Sequence, residues 1–217
     1  MAKAPVAGQV KTRLVPPLSY EQAAELYACL LSDLLDGLKS CAFADLCLNF
    51  APADAGAVFA GLAPPEFSRF PQEGRDLGER MNAAFLELFA RGYRSVVLIG
   101  SDLPVFPREF LERAFEALEN GAADVVLGPN RDGGYYSIGM RRPVPAVFER
   151  ISWSSAGVLA ATLEKIRSEG LKSSLLPPWF DIDTPEDLLY LRDMLARLDG
   201  DLCPRTLRWI QEELAYL

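Results

Sequence analysis

Apolar residues recur along the chain in two alternating patterns, three-to-four-residue spacings and short continuous runs, which predicts helices interleaved with strands. Ser19 and Gln22 form a capping box, and apolar positions from Ala23 through Leu26, Leu30 and Leu34 to Leu38 follow at helical spacing. Leu46, Leu48 and Phe50 alternate within a strand expected over 43–51. A small-residue helix over 54–62 ends before Pro64 and Pro65, and a short strand is expected over 67–70. Asp76 can cap a helix whose buried face carries Met81, Phe85 and Leu88, with Gly92 ending it. The unbroken apolar runs at 95–99 and 123–127 have the character of strands buried on both faces, as in a parallel sheet. Between them Pro107 opens a helix that closes at Gly121. A third strand over 134–140, a helix over 155–169 and a strand over 171–176 follow. Thr184 and Pro185 start another helix, and a last one is expected over 204–217. This order implies a single α/β domain over 1–217 with a mostly parallel sheet flanked by helices.

Composition narrows the chemistry. The 217 residues include 22 basic and 30 acidic side chains, a net charge of −8, and not one histidine. The acidic balance argues against a nucleic-acid or anionic-membrane partner, while leaving room for a local basic pocket. Without histidine there is no Ser-His-Asp or Cys-His pair and no imidazole metal ligand. Cys29, Cys41, Cys47 and Cys203 show no paired spacing and lie in or beside apolar stretches, as reduced core residues of a cytoplasmic protein would. The first residues lack a signal-peptide core, and no run of 18 apolar residues could span a membrane.

Five polar clusters could carry chemistry. In segment 5–14, Gly8 permits close backbone approach and Lys11 and Arg13, flanking Thr12, supply two cations. Such a loop suits a polyphosphate, or is a solvated basic turn, and it is not a Walker loop. Asp102 directly follows an apolar strand, where it either caps a turn or meets a divalent cation bridging to phosphate. Asp132-Gly133-Gly134 reads as a hairpin turn, or as a loop passing close to a ligand with Tyr135 or Tyr136 beside a sugar or base. Capping explains Thr184, Glu186 and Asp187 well, and explains Asp181 and Asp183 less well. Arg75 and Arg80 lie in segment 72–81, a loop leading into a salt-bridged helix start.

Together and in order, these motifs resemble the selenodomain-associated transferases of type one, within the GT-A nucleotide-diphospho-sugar transferase superfamily. The resemblance runs from residue 2 to residue 188 and implies a Rossmann-like GT-A fold. It implies that Asp102, Asp183 and Asp181 hold Mg²⁺ or Mn²⁺, and that Lys11 and Arg13 contact phosphate. It also extends substrate contacts to Gly8, Thr12, Arg75, Arg80, Gly133, Gly134 and Tyr135. Family members carry a short apolar strand ahead of the Ala2-Lys3-Ala4-Pro5 segment. Here Met1 stands almost at the loop, so the first strand is expected to be short or missing. Trp153-Ser154-Ser155-Ala156 replaces the family's more usual Trp-Ser-Thr-Pro.

The implied activity is metal-dependent nucleotidyl transfer from a nucleoside triphosphate to a small phosphate-bearing acceptor. An ionised phosphate nucleophile needs no general base, which accords with the missing histidine. Two alternatives are glycosyl transfer from a nucleotide-sugar, with Asp132 as base, and a non-catalytic nucleotide-binding module.

Overall fold

The computed structural model describes residues 1–195 and 202–214. In chain order its elements are β1 (Ala2–Lys3), α1 (Tyr20–Leu38), β2 (Cys47–Ala51), α2 (Gly56–Leu62), β3 (Ser68–Pro71), α3 (Leu77–Ala90), β4 (Val96–Ile99), α4 (Arg108–Glu119), β5 (Val125–Pro129), β6 (Tyr135–Met140), α5 (Val158–Ser168), β7 (Ser173–Leu175), α6 (Pro185–Leu195) and α7 (Pro204–Glu213). They fall into two compact units. The first comprises Met1–Pro71, Ser101–Phe106 and Asp181–Leu217, and the second Gln72–Gly100 and Pro107–Phe180.

The first unit holds a parallel sheet in the order β1-β2-β3. The expected short first strand is a two-residue one, with Ala2 opposite Phe50 and Lys3 opposite Ala51. The Ala4 N–H extends the pairing by donating to the Ala51 carbonyl at 2.7 Å. Phe50 packs on Phe59 of α2 with ring centroids 5.1 Å apart, inside a core shared with Tyr27, Leu31 and Leu35 of α1. The expected capping box is formed: the Gln22 N–H donates to Ser19 Oγ and the Ser19 N–H to Gln22 Oε1. Asp33 is buried on α1 and accepts the backbone N–H groups of Thr206 at 2.8 Å and Arg205 at 3.3 Å. A carboxylate thereby satisfies the otherwise orphaned donors at the start of α7 and fastens that helix to α1.

The second unit holds a mixed sheet in the order β4-β6-β5-β7, with α3, α4 and α5 beside it in the chain. β5 and β7 are parallel, whereas β6 runs antiparallel to both β4 and β5. The expected third strand is therefore present, but its direction is set by the tight 130–134 hairpin, which is too short for a parallel crossover. Asp76 caps α3 as expected, its Oδ1 accepting the Glu79 N–H at 2.8 Å.

Several boundaries move. The strand expected from residue 43 begins at Cys47, because 41–46 is taken up by turns and Phe43 is exposed. The helix expected from Ser155 begins at Val158, after a loop in which Ser154 has φ 68° and Ser155 Oγ donates to the Ser152 carbonyl. The last helix is seen over Pro204–Glu213, and the expected extension over 215–217 lies outside the described residues. All four cysteines are free thiols. Cys41 and Cys203 are buried as expected, while Cys29 and Cys47 are only half-buried.

Candidate phosphate and metal site

In the first unit, Lys11 sits at the start of a 3-10 turn (Thr12–Leu14) in left-handed backbone conformation, φ 50° and ψ 32°. Leu14, fully buried, anchors that turn in the core, and the Leu14 N–H donates to the Lys11 carbonyl at 3.0 Å. The turn directs the lysine stem inward and leaves Gly8, Thr12 and Arg13 exposed. Gly8 needs its glycine for φ 76°, since an added Cβ would meet nothing within 4 Å.

Two further segments meet this loop. The Ile182 N–H donates to the Asp102 carbonyl at 3.1 Å, which sets the 181–183 segment beside Ser101–Phe106. Lys11 Nζ then lies 2.5 Å from Asp102 Oδ1 and 3.1 Å from Asp183 Oδ1. Its side chain is 2% exposed, against 42% for Asp102 and 37% for Asp183. Arg13, exposed, stands 3.6 Å from Asp183 Oδ2. Burial alone would lower the Lys11 pKa, but the attraction of Asp102 and then Asp183 outweighs it and leaves the value above that of an ordinary lysine. Lys11 is thus a fixed positive charge at neutral pH.

Behind Lys11 stands a residue whose role the sequence did not disclose. The Tyr27 ring centroid is 6.0 Å from Lys11 Nζ. The Tyr27 hydroxyl accepts the Lys3 N–H at 3.0 Å and shares a 2.8 Å hydrogen bond with Ser101 Oγ, next to Asp102. Burial, and secondarily the charge of Asp102, hold the phenol pKa above its usual value, so the hydroxyl stays protonated. In the sequence Tyr27 is one more apolar position of α1, and only its hydroxyl within a leucine stripe marks it.

Asp183 and Asp187 divide the labour at the start of α6. Asp187 Oδ2 accepts the N–H groups of Asp183 (3.1 Å) and Thr184 (2.8 Å) and the Thr184 hydroxyl (2.9 Å). The expected capping is therefore done by Thr184 and Asp187, and the Asp183 carboxylate faces Lys11 and Arg13 instead. Asp181 is half-buried one residue before Ile182. Among the described residues no group of three or more His, Cys, Asp or Glu is arranged to hold a metal. Mg²⁺ is commonly held by one or two carboxylates together with water and substrate phosphate. Asp102 and Asp183, half-exposed hard-oxygen donors, fit that requirement as a pair.

The remaining predicted residues belong to the second unit. Arg75 pairs with Glu79 through its backbone N–H at 2.8 Å and through its guanidinium. Those hydrogen bonds take the exposed Glu79 carboxyl down to about 2. Arg80 Nε donates to the Gly74 carbonyl at 3.0 Å. Asp132 Oδ1 accepts the Gly134 N–H at 2.8 Å, the hydrogen bond of the expected hairpin turn. Gly133, at φ 89°, lies so close to α5's approach loop that a Cβ there would stand 2.1 Å from the Ala156 carbonyl oxygen. Tyr135 opens β6 half-buried, and burial raises its phenol pKa.

By its match to a solved structure, the fold belongs to the class of GT-A nucleotide-diphospho-sugar transferases. Residues 34–155 match the family described as an uncharacterized protein conserved in bacteria (DUF2064), and the chain belongs to that family. The crystal structure of a "putative nucleotide-diphospho-sugar transferase" from Desulfovibrio desulfuricans G20 matches with a TM-score of 0.90 and 38% identity, over 98% of this chain and 92% of that one. A 2-phospho-L-lactate guanylyltransferase from Archaeoglobus fulgidus is 28% identical over 85% of this chain and 79% of its own length. Its namesake from Methanopyrus kandleri is 35% identical over 42% of this chain, a match that spans about half (47%) of that relative's length. A Mycobacterium tuberculosis H37Rv protein solved as a manganese complex shares the fold, at 20% identity and a TM-score of 0.54, over 88% of this chain and 94% of that one.

Proposed function

We propose that the protein is a nucleotidyltransferase that joins a nucleoside triphosphate to a small phosphate-bearing acceptor in the cytoplasm. The observation that carries this reading is the buried Lys11 ammonium set between Asp102 and Asp183, with Arg13 at its outer edge. The names of the two guanylyltransferase relatives support a triphosphate donor, with GTP as the first to test, and an acceptor that carries phosphate.

In the proposed step, a phosphate oxygen of the acceptor attacks the α-phosphorus of the triphosphate. The new P–O bond forms as the bond to the β-phosphate bridge breaks, and pyrophosphate leaves with the electron pair. The nucleophile is already ionised at neutral pH, so no side chain must remove a proton. Lys11 and Arg13 lie where they can draw the triphosphate into line and offset negative charge on its oxygens. Asp102 and Asp183 would hold a Mg²⁺ or Mn²⁺ ion, which when bound supplies Lewis-acid neutralisation of phosphate charge. Gly8 and Thr12 would contribute backbone and hydroxyl contacts from the same loop. Arg75, Arg80, Gly133, Gly134 and Tyr135 are proposed as contacts to the rest of the substrates. The test is turnover of purified protein on GTP, CTP, ATP and UTP with phosphorylated hydroxy acids as acceptors: the proposal expects metal-dependent pyrophosphate release, lost in Asp102→Ala. Unchanged turnover in that variant contradicts it.

The description of the Desulfovibrio protein favours one second reading, transfer of a sugar from a nucleotide-sugar. Inversion at a hydroxyl acceptor would need a carboxylate base, and Asp132 is the candidate. Supplying labelled nucleotide-sugars alone separates the two, because this reading expects free nucleoside diphosphate and no pyrophosphate.

A further inference from the structure

Two carboxylates facing one site repel each other unless a cation stands between them. Here that cation belongs to the chain itself. Lys11 Nζ touches the Oδ1 atoms of both Asp102 and Asp183, and its side chain is almost wholly buried. Arg13 differs, being two-thirds exposed and beside Asp183 alone. The Lys11 stem is held by a left-handed backbone residue at the head of a short turn and lies beside the Tyr27 ring. The ammonium, at the end of a flexible four-carbon stem, can change partners without moving that turn.

A divalent cation gathered by Asp102 and Asp183 would need the same two carboxylates that Lys11 now occupies, and two cations in contact with one pair repel each other. We propose that Lys11 is the resident counter-ion of the Asp102–Asp183 pair, and that Lys11 and a divalent cation hold the pair alternately. Entry of the divalent ion releases the Lys11 ammonium, which then becomes available to an incoming phosphate. The last clause rests on the proposed function, whereas the competition itself does not. In the resting protein Lys11 offsets one of the pair's two negative charges and keeps the carboxylates in place, and the phosphate-binding charge is presented only once metal has arrived.

The test is Mn²⁺ binding without substrate, followed by the electron paramagnetic resonance signal of free Mn²⁺. Lys11→Met keeps the length of the side chain and removes its charge. It should bind Mn²⁺ about tenfold or more tightly than the wild type, because a contact charge is lost from the pair. Arg13→Met removes an exposed charge at longer range and should change affinity less than about threefold. Asp102→Asn should weaken binding, showing that the ion sits on the pair. A Lys11→Met affinity within twofold of wild type, or a gain equalled by Arg13→Met, overturns the proposal. Should the wild type bind no Mn²⁺, binding gained in Lys11→Met supports the competition and its absence refutes it.

A second measurement uses the unaltered chain and needs no variant to fold. Amine acylation read by mass spectrometry should rise at Lys11 when Mn²⁺ is added and stay constant at the exposed Lys39. Labelling of Lys11 that is unchanged or lower with Mn²⁺ overturns the proposal. The competition and the proposed activity fail separately. Absence of pyrophosphate release with every triphosphate and acceptor defeats the activity, whatever the Mn²⁺ affinities are.

Discussion

Both compact units carry aspartates at the ends of strands and the starts of helices, yet the two sets are used differently. In the second unit Asp132 accepts the Gly134 N–H two residues on, and Asp76 accepts the Glu79 N–H three residues on. Each carboxylate there closes its own turn or cap. In the first unit Asp102 and Asp183 instead face the ammonium of Lys11, brought from a distant part of the chain, and leave capping to Asp187. An aspartate that satisfies its own backbone is explained by local folding. One that converges with others on a buried cation from a distant segment has an energetic cost that local folding does not explain, and it is the stronger functional candidate.

The largest expected effect tests that distinction at its centre. Asp102→Ala should lower turnover by about a thousandfold or more, since it removes charge stabilisation of the transferring group, while circular dichroism shows the fold retained. A loss of less than tenfold would put Asp102 in the same local class as Asp132.

Next in size is Gly133→Ala in the second unit. Its Cβ would stand 2.1 Å from the Ala156 carbonyl at a positive φ, so urea unfolding should show a loss of about 3 kcal/mol. Gly8→Ala in the first unit also meets positive φ but finds open space, so the same measurement should show only about 1 kcal/mol. Equal losses would mean that steric crowding does not set the two loops apart.

Tyr27→Phe leaves the Lys3 N–H and the Ser101 hydroxyl without a shared partner, and should cost about 1–2 kcal/mol.

The pH dependence of the units should also diverge. The folded pKa of Lys11 is raised above the unfolded value of 10.5. Its stabilisation is therefore complete below about pH 10.5 and is lost as pH rises through the folded value. Glu79 is lowered from 4.5 to about 2, so its contribution is present above about 4.5 and disappears as pH falls towards 2. Urea unfolding across pH, compared with Lys11→Met and Glu79→Gln, should flatten the alkaline limb in the first variant and the acid limb in the second. The Glu79 effect should be slight because the pair is exposed.

The smallest effect is expected from Asp132→Asn, which keeps an acceptor for the Gly134 N–H and should cost well under about 1 kcal/mol. Its nucleotidyl-transfer rate should stay within about threefold of wild type, whereas a base role in glycosyl transfer predicts a loss of about a hundredfold or more.

Much of this organisation is legible in the amino-acid sequence. Ser19 with Gln22 and Asp76 announced the starts of α1 and α3, because capping is decided within four residues. The apolar runs at 96–99 and 125–127 announced strands; β5 is buried on both faces there, whereas β4 alternates buried Val96 and Leu98 with half-buried Val97 and Ile99. What stayed hidden depended on contacts between distant segments. The direction of β6 follows from a hairpin whose turn motif and flanking strands were visible, whereas its pairing with the distant β4 was not. Nothing in the sequence sets Asp33 apart, and only the structure shows that α7 places two backbone donors on it. Lys11, Arg13, Asp102 and Asp183 could be listed as candidates. That Lys11 is buried between Asp102 and Asp183, backed by Tyr27 and Ser101, emerges only from three segments meeting.

The central claim, transfer of a nucleotidyl group, is tested most directly by following two phosphorus labels in one reaction. Protein, Mg²⁺ and a phosphorylated hydroxy acid are incubated with GTP labelled at either the α- or the γ-phosphate, and the products are separated. The account predicts the α label in a new acceptor adduct and the γ label in pyrophosphate, in equal amounts. Recovery of the γ label as orthophosphate, with the α label in nucleoside diphosphate, would contradict it.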